Sequence, residues 1–139
     1  MKIIYWSGTG NTEAMANLIG KGIANQGKEV QVLSVGDFSI NDIKNDDILV
    51  LGCPSMGNET LEESEFEPFI ESLKSIGDGK KALLFGSYGW GDGEWMRSWE
   101  EQMKEYGFEI PLESVIVNEM PEGSEEERCI NFGKEIANL

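Results

Sequence analysis

KIIYWSGTGNTE, residues 2–13, runs from a short apolar stretch through a Ser-Gly-Thr-Gly turn into the start of a helix. Residues 2–6 are apolar apart from the leading lysine and too few for a helix, so a buried strand is predicted there. Behind the turn, Met15, Leu18, Ile19, Gly22 and Ile23 recur at helical spacing through residues 11–25. Strand, tight turn and helix in that order open a βαβ unit, whose next strand lies parallel to the first.

The rest of the chain repeats the alternation. EVQVLSV (29–35) alternates like a strand, and a polar turn with a brief helix near Ile40–Lys44 leads to the apolar run DILVLGC (47–53). Phe66, Phe69, Ile70, Leu73 and Ile76 mark a second long helix. KKALLFGS (80–87) is a further buried strand, followed by Trp95, Met96, Trp99, Met103 and Tyr106 on a third helix. FEIPLESVIV (108–117) is predicted as a strand interrupted at Pro111, and Cys129, Ile130, Gly133, Ile136 and Ala137 make a closing helix. The expectation is one α/β domain over residues 1–139. Its sheet is doubly wound, five-stranded and parallel, with right-handed crossovers placing helices on both faces. A chain of this length buries a core without staples.

Composition excludes several function classes. A net charge of −15 argues against nucleic acid and against an anionic membrane surface, where basic residues supply the affinity. It leaves open a solvated surface or a basic protein partner. With no histidine there is no Ser-His-Asp or Cys-His catalysis and no imidazole metal site. Cys53 and Cys129 form no metal-type cluster and sit among apolar residues, as buried free thiols do. No apolar run reaches the length of a membrane span or a signal peptide, so the expected location is the cytoplasm.

In open parallel sheets ligands bind beyond the carboxyl ends of the strands. The turns there are SGTGNTE (7–13), GCPSMGNETLEE (52–63) and GSYGWGDG (86–93), the three least ordinary stretches of the chain. The first is an anion site by construction. Wherever its helix begins, at Gly10, Asn11 or Thr12, the opening amides lack intrahelical acceptors, and the helix dipole favours negative charge. Ser7, Thr9, Asn11 and Thr12 add short polar groups, and Gly8 and Gly10 let the backbone curl closely. Other phosphate motifs fail on spelling: there is no Gly-Lys-Ser/Thr, and Glu13 stands where G-x-G-x-x-G needs glycine.

SGTGNTE behind an N-terminal strand, with the loop order and length of the whole chain, resembles the short-chain flavodoxins. The resemblance implies the strand order 2-1-3-4-5, non-covalently bound FMN, and a monomeric low-potential one-electron carrier rather than an enzyme. It places Ser7, Gly8, Thr9, Gly10, Asn11 and Thr12 around the FMN phosphate. Pro54, Ser55, Met56, Gly57, Asn58 and Glu59, with Ser87, Tyr88, Gly89, Trp90, Gly91 and Asp92, would hold the ring. Met56 and Trp90 are implied as its two walls, suited by a polarizable thioether and a flat indole. The Gly57–Asn58 peptide is implied to flip its carbonyl toward the flavin N5–H on one-electron reduction, with Asn58 expected to tolerate a left-handed backbone. Glu59 either accepts the flavin N3–H or opens the acidic run that follows. Trp6 and Asn118 are expected along the ribityl chain, and Trp95 and Trp99 in the core.

No basic residue lies between Asn45 and Leu73, while Asp46, Asp47, Glu59, Glu62, Glu63, Glu65, Glu67 and Glu71 are acidic. Acids ringing the flavin would oppose its anionic hydroquinone and attract basic-surfaced reductases and acceptors in transient encounters. The alternative function is an FMN-dependent NAD(P)H:quinone or flavin reductase, for which no second nucleotide fingerprint is visible.

Overall fold

The computed structural model describes residues 1–139. Its five strands are β1 (Lys2–Tyr5), β2 (Gln31–Ser34), β3 (Ile48–Gly52), β4 (Lys81–Tyr88) and β5 (Val115–Asn118). All neighbours are parallel, in the order β2-β1-β3-β4-β5. The crossovers carry α1 (Asn11–Asn25), α2 (Phe66–Ser72) and α3 (Glu94–Glu105), and α4 (Ser124–Ala137) closes the chain.

Alternation along the strands divides the core in two. Ile4, Leu49, Leu51 and Leu84 face Phe66 and Ile70 of α2 and Trp95, Trp99 and Met103 of α3. Ile3, Val50, Leu83 and Phe85 face Met15, Ile19 and Ile23 of α1 and Cys129, Phe132 and Ile136 of α4. Both tryptophans of α3 are thus core residues, as expected. So are both free cysteines, where burial pushes the Cys53 thiol up to about 12 and Cys129 to about 11. Helices α1 and α4 meet through glycine, since a methyl at Gly22 would overlap the Ile130 carbonyl and one at Gly133 the Ile19 carbonyl.

One element departs from the sequence reading. The second helix ends at Ser72 and tightens into a 3₁₀ turn, Leu73–Ser75. There the Ser72 and Ser75 hydroxyls donate to the Phe69 and Ser72 carbonyls, competing with the helical ladder. The fifth strand is split, as its internal proline predicts. Residue 109 makes an isolated bridge to Lys81, and pairing resumes only at Val115, beyond Pro111, which has no N–H to give.

The topology sorts charge. All nine lysines lie at or toward the amino ends of the strands: at strand starts, in the turns before them, or in the later parts of helices. The opposite end carries Glu13, Asp37, Glu59, Glu63, Glu65, Asp92, Glu94, Glu119, Glu122 and Glu125–Glu127, with only Arg97 and Arg128 near them.

Candidate functional site

Pairing fixes the start of the first loop, with Val35 N–H donating to the Tyr5 carbonyl (2.8 Å) and Trp6 N–H to the Gly52 carbonyl (3.0 Å). The chain then turns over the Trp6 ring, so closely that a methyl on Gly8 would meet Trp6 Cη2 at 3.0 Å. Gly10 caps α1 at φ +97°, a left-handed conformation open to glycine. Ser7 Oγ braces the turn from inside, accepting from Gly10 N–H (3.1 Å) and Glu13 N–H (3.3 Å). The amides of Gly8, Thr9, Asn11 and Thr12 find no acceptor in the protein. Buried Thr12 ties the helix start to β4 through a 3.0 Å hydroxyl contact with Ser87.

The second loop follows β3, with Ser55 N–H donating to the Ser87 carbonyl (2.9 Å). Met56 and Thr60 then exchange two backbone hydrogen bonds of 2.9 Å each, closing a hairpin over Gly57, Asn58 and Glu59. Positive φ falls on Gly57 (+50°) and Glu59 (+57°), not on Asn58 as expected. The last position of a three-residue hairpin loop is where a left-handed residue belongs, so the hairpin geometry overrides side-chain preference. The Glu59 carboxylate reaches the third loop, accepting from Glu94 N–H at the start of α3 (3.2 Å). It lies where a methyl on Gly91 would stand.

The third loop leaves β4 over a rigid floor. Trp95 Nε1 donates to the Cys53 carbonyl (3.1 Å), and the Tyr88 and Trp95 rings lie 5.8 Å apart. Trp90 nevertheless stands out, its surface 62% exposed among glycines. Past it, Asp92 pairs with Arg97 (2.9 Å).

These loops enclose a groove of about 300 Å³. Gly8, Thr9 and Asn11 line one end, Pro54, Ser55 and Met56 one side, and Ser87, Tyr88, Gly89 and Trp90 the other. Ser7, Gly10 and Thr12 build the first loop without lining the groove. Gly57, Asn58 and Glu59 form the hairpin tip, and Gly91 and Asp92 continue past Trp90. Trp6 lines the groove; Asn118 stands outside it, its Nδ2 donating to the Tyr88 carbonyl (3.2 Å) and bracing the third loop. Glu119 takes a place on the wall, at φ +61°. Sequence reading missed it, although its position just beyond β5 is the signal that located the other loops. Two hollows of about 480 and 380 Å³ are larger, but neither includes free amides of a helix start.

Within the acidic run, Glu62 is not part of an exposed ring. It is 6% exposed, and its carboxylate accepts from the amides of Ser64 (2.8 Å), Glu65 (2.9 Å) and Phe66 (2.8 Å) and from the Ser64 hydroxyl. Burial alone would raise its pKa, but these donors together hold it below the usual carboxylate value.

The flavodoxin family model matches residues 3–133. A flavodoxin of Clostridium beijerinckii is 57% identical over the full length of both chains. One from Megasphaera elsdenii is 44% identical, covering 99% of this chain and 98% of its own. The solution structure of two-electron reduced Megasphaera elsdenii flavodoxin superposes with a TM-score of 0.91, covering 99% of this chain and 98% of that one. Loop spelling, strand order, groove and these likenesses agree: the chain belongs to the flavodoxin family, the FMN-binding electron carriers.

Proposed function

We propose that the protein is a low-potential one-electron carrier with no substrate of its own, cycling FMN between the neutral semiquinone and the anionic hydroquinone. One observation carries this reading. A cradle of free amides without a cation, an exposed indole and a thioether lie in the same groove. Phosphate suits the first, where charge-assisted hydrogen bonds contribute about 1.5–3 kcal/mol each, and a flat heteroaromatic ring suits the second.

On this reading Gly8, Thr9 and Asn11 hold the phosphate by backbone and side chain and Thr12 by its amide, with Ser7 and Gly10 shaping the loop. Met56 and Trp90 cover the ring, and Trp6 and Glu119 flank the ribityl chain. The flavin supplies the electron chemistry, and the protein sets its potential. The Gly57–Asn58 peptide presents its carbonyl to N5–H in the half-reduced state. Glu59 is within the same hairpin and serves N3–H. Each carboxylate about 10 Å from the ring, at an effective dielectric near 40, adds about 0.8 kcal/mol against the anionic hydroquinone, roughly 35 mV. The acidic end of the molecule also meets basic-surfaced reductases and acceptors in brief encounters. The whole chain acts as one monomeric domain in the cytoplasm; no helix is long and apolar enough to cross a membrane.

Stepwise anaerobic reduction tests the proposal. The purified protein should be yellow and turn blue before bleaching. Failure to bind added FMN would refute it, and rapid bleaching by NAD(P)H alone would favour the reductase alternative.

A further inference from the structure

The anion site has an acid built into its own first turn. Glu13 is the third residue of α1, and its amide already points into the loop, to Ser7 Oγ. A glutamate at this position commonly folds back onto the amide of the capping residue, closing a capping box. Here that amide belongs to Gly10 and donates to the neutral Ser7 Oγ (3.1 Å), a weaker acceptor than a carboxylate. A carboxylate swung into that position would be drawn by the helix dipole and by the free amides that phosphate needs. Being tethered, it would compete at a high effective concentration.

It does not swing in, because the Tyr5 hydroxyl donates to Glu13 Oε2 at 2.7 Å. Tyr5 is well placed to hold it. As the last residue of β1 it is paired on both sides, with Ser34 of β2 and Gly52 of β3, so its ring has a fixed origin. The bond to Glu13 is the main reason that the phenol is pushed up to about 12, so it stays a donor at any physiological pH. We propose that Tyr5 is a positioning residue for phosphate. It parks the Glu13 carboxylate on the outer face of α1 and keeps the loop's donors free for the cofactor's phosphate.

The inference rests on the FMN reading, and the test separates the two. Binding of inorganic phosphate, FMN and riboflavin to the apoprotein is measured by calorimetry and flavin fluorescence for wild type, Tyr5→Phe, Glu13→Ala and the double variant. Tyr5→Phe should weaken phosphate and FMN binding about 3- to 5-fold, as expected for one charge at a helix start, and leave riboflavin unaffected. In the Glu13→Ala background the same change should have no effect. Equal losses in both backgrounds, an equal loss for riboflavin, or no loss in wild type would overturn the positioning role. Failure of the unmodified apoprotein to bind FMN at all would overturn the site reading, and the positioning role with it.

Discussion

At the residue scale the site depends on backbone conformation more than on side-chain charge. Gly57 is the sharpest case. A methyl there meets nothing within 4 Å, so Gly57→Ala fits sterically, but φ +50° costs a residue with a Cβ about 1–2 kcal/mol. The variant should keep FMN and lose stability of the half-reduced state, read as a more negative first potential in a redox titration; unchanged potentials would refute the peptide flip. The phosphate loop was legible because Gly, Ser, Thr and Asn around a helix start declare their amides directly. The left-handed backbone at Glu59 was not, because it follows from the hydrogen bonds between Met56 and Thr60 rather than from local spelling. Likewise, nothing in the run LEESEFE distinguishes inward-facing Glu62 from its exposed neighbours.

At the scale of elements, two devices hold the loops in place. Glu62 caps the approach to α2, and its lowered pKa gives a sign to the pH dependence. The stabilisation is complete above the unfolded-state value near 4.5 and is lost as pH falls below it toward the folded value. Glu62→Gln should therefore cost about 1–3 kcal/mol at pH 7 in urea denaturation, and the difference from wild type should shrink in acid. The second device is the glycine crossing of α1 and α4. Gly133→Ala must drive the helices apart against backbone atoms, and a loss of about 1–3 kcal/mol or more is expected in the same assay. Because α1 carries the phosphate loop at its start, FMN affinity should fall as well. The pattern of elements was legible from periodicity throughout. The break at Pro111 was legible too, since proline has no N–H to give a ladder; what periodicity missed was the tightened end of α2, where serine hydroxyls compete for the helical carbonyls.

For the whole molecule, the parallel sheet does more than gather three loops. It aligns every helix start, with its acids, at the groove end of the sheet and sends the lysines to the other end. The order of strands was legible only through family resemblance, since many orders satisfy the same alternation. The sorting of charge appears only once that order is known. Electron transfer to a basic haem protein should slow about 10-fold or more between 10 mM and 200 mM salt, and transfer to an acidic acceptor should not. Stopped-flow rates at several ionic strengths would check this.

The same separation of charge gives the molecule a preferred landing orientation. On an electrode coated with amines it would settle groove-first, with the cofactor nearest the metal and wired without a mediator. On a carboxylate coating it would arrive lysine-first, if at all, and remain electrochemically silent, the whole thickness of the sheet standing between flavin and conductor.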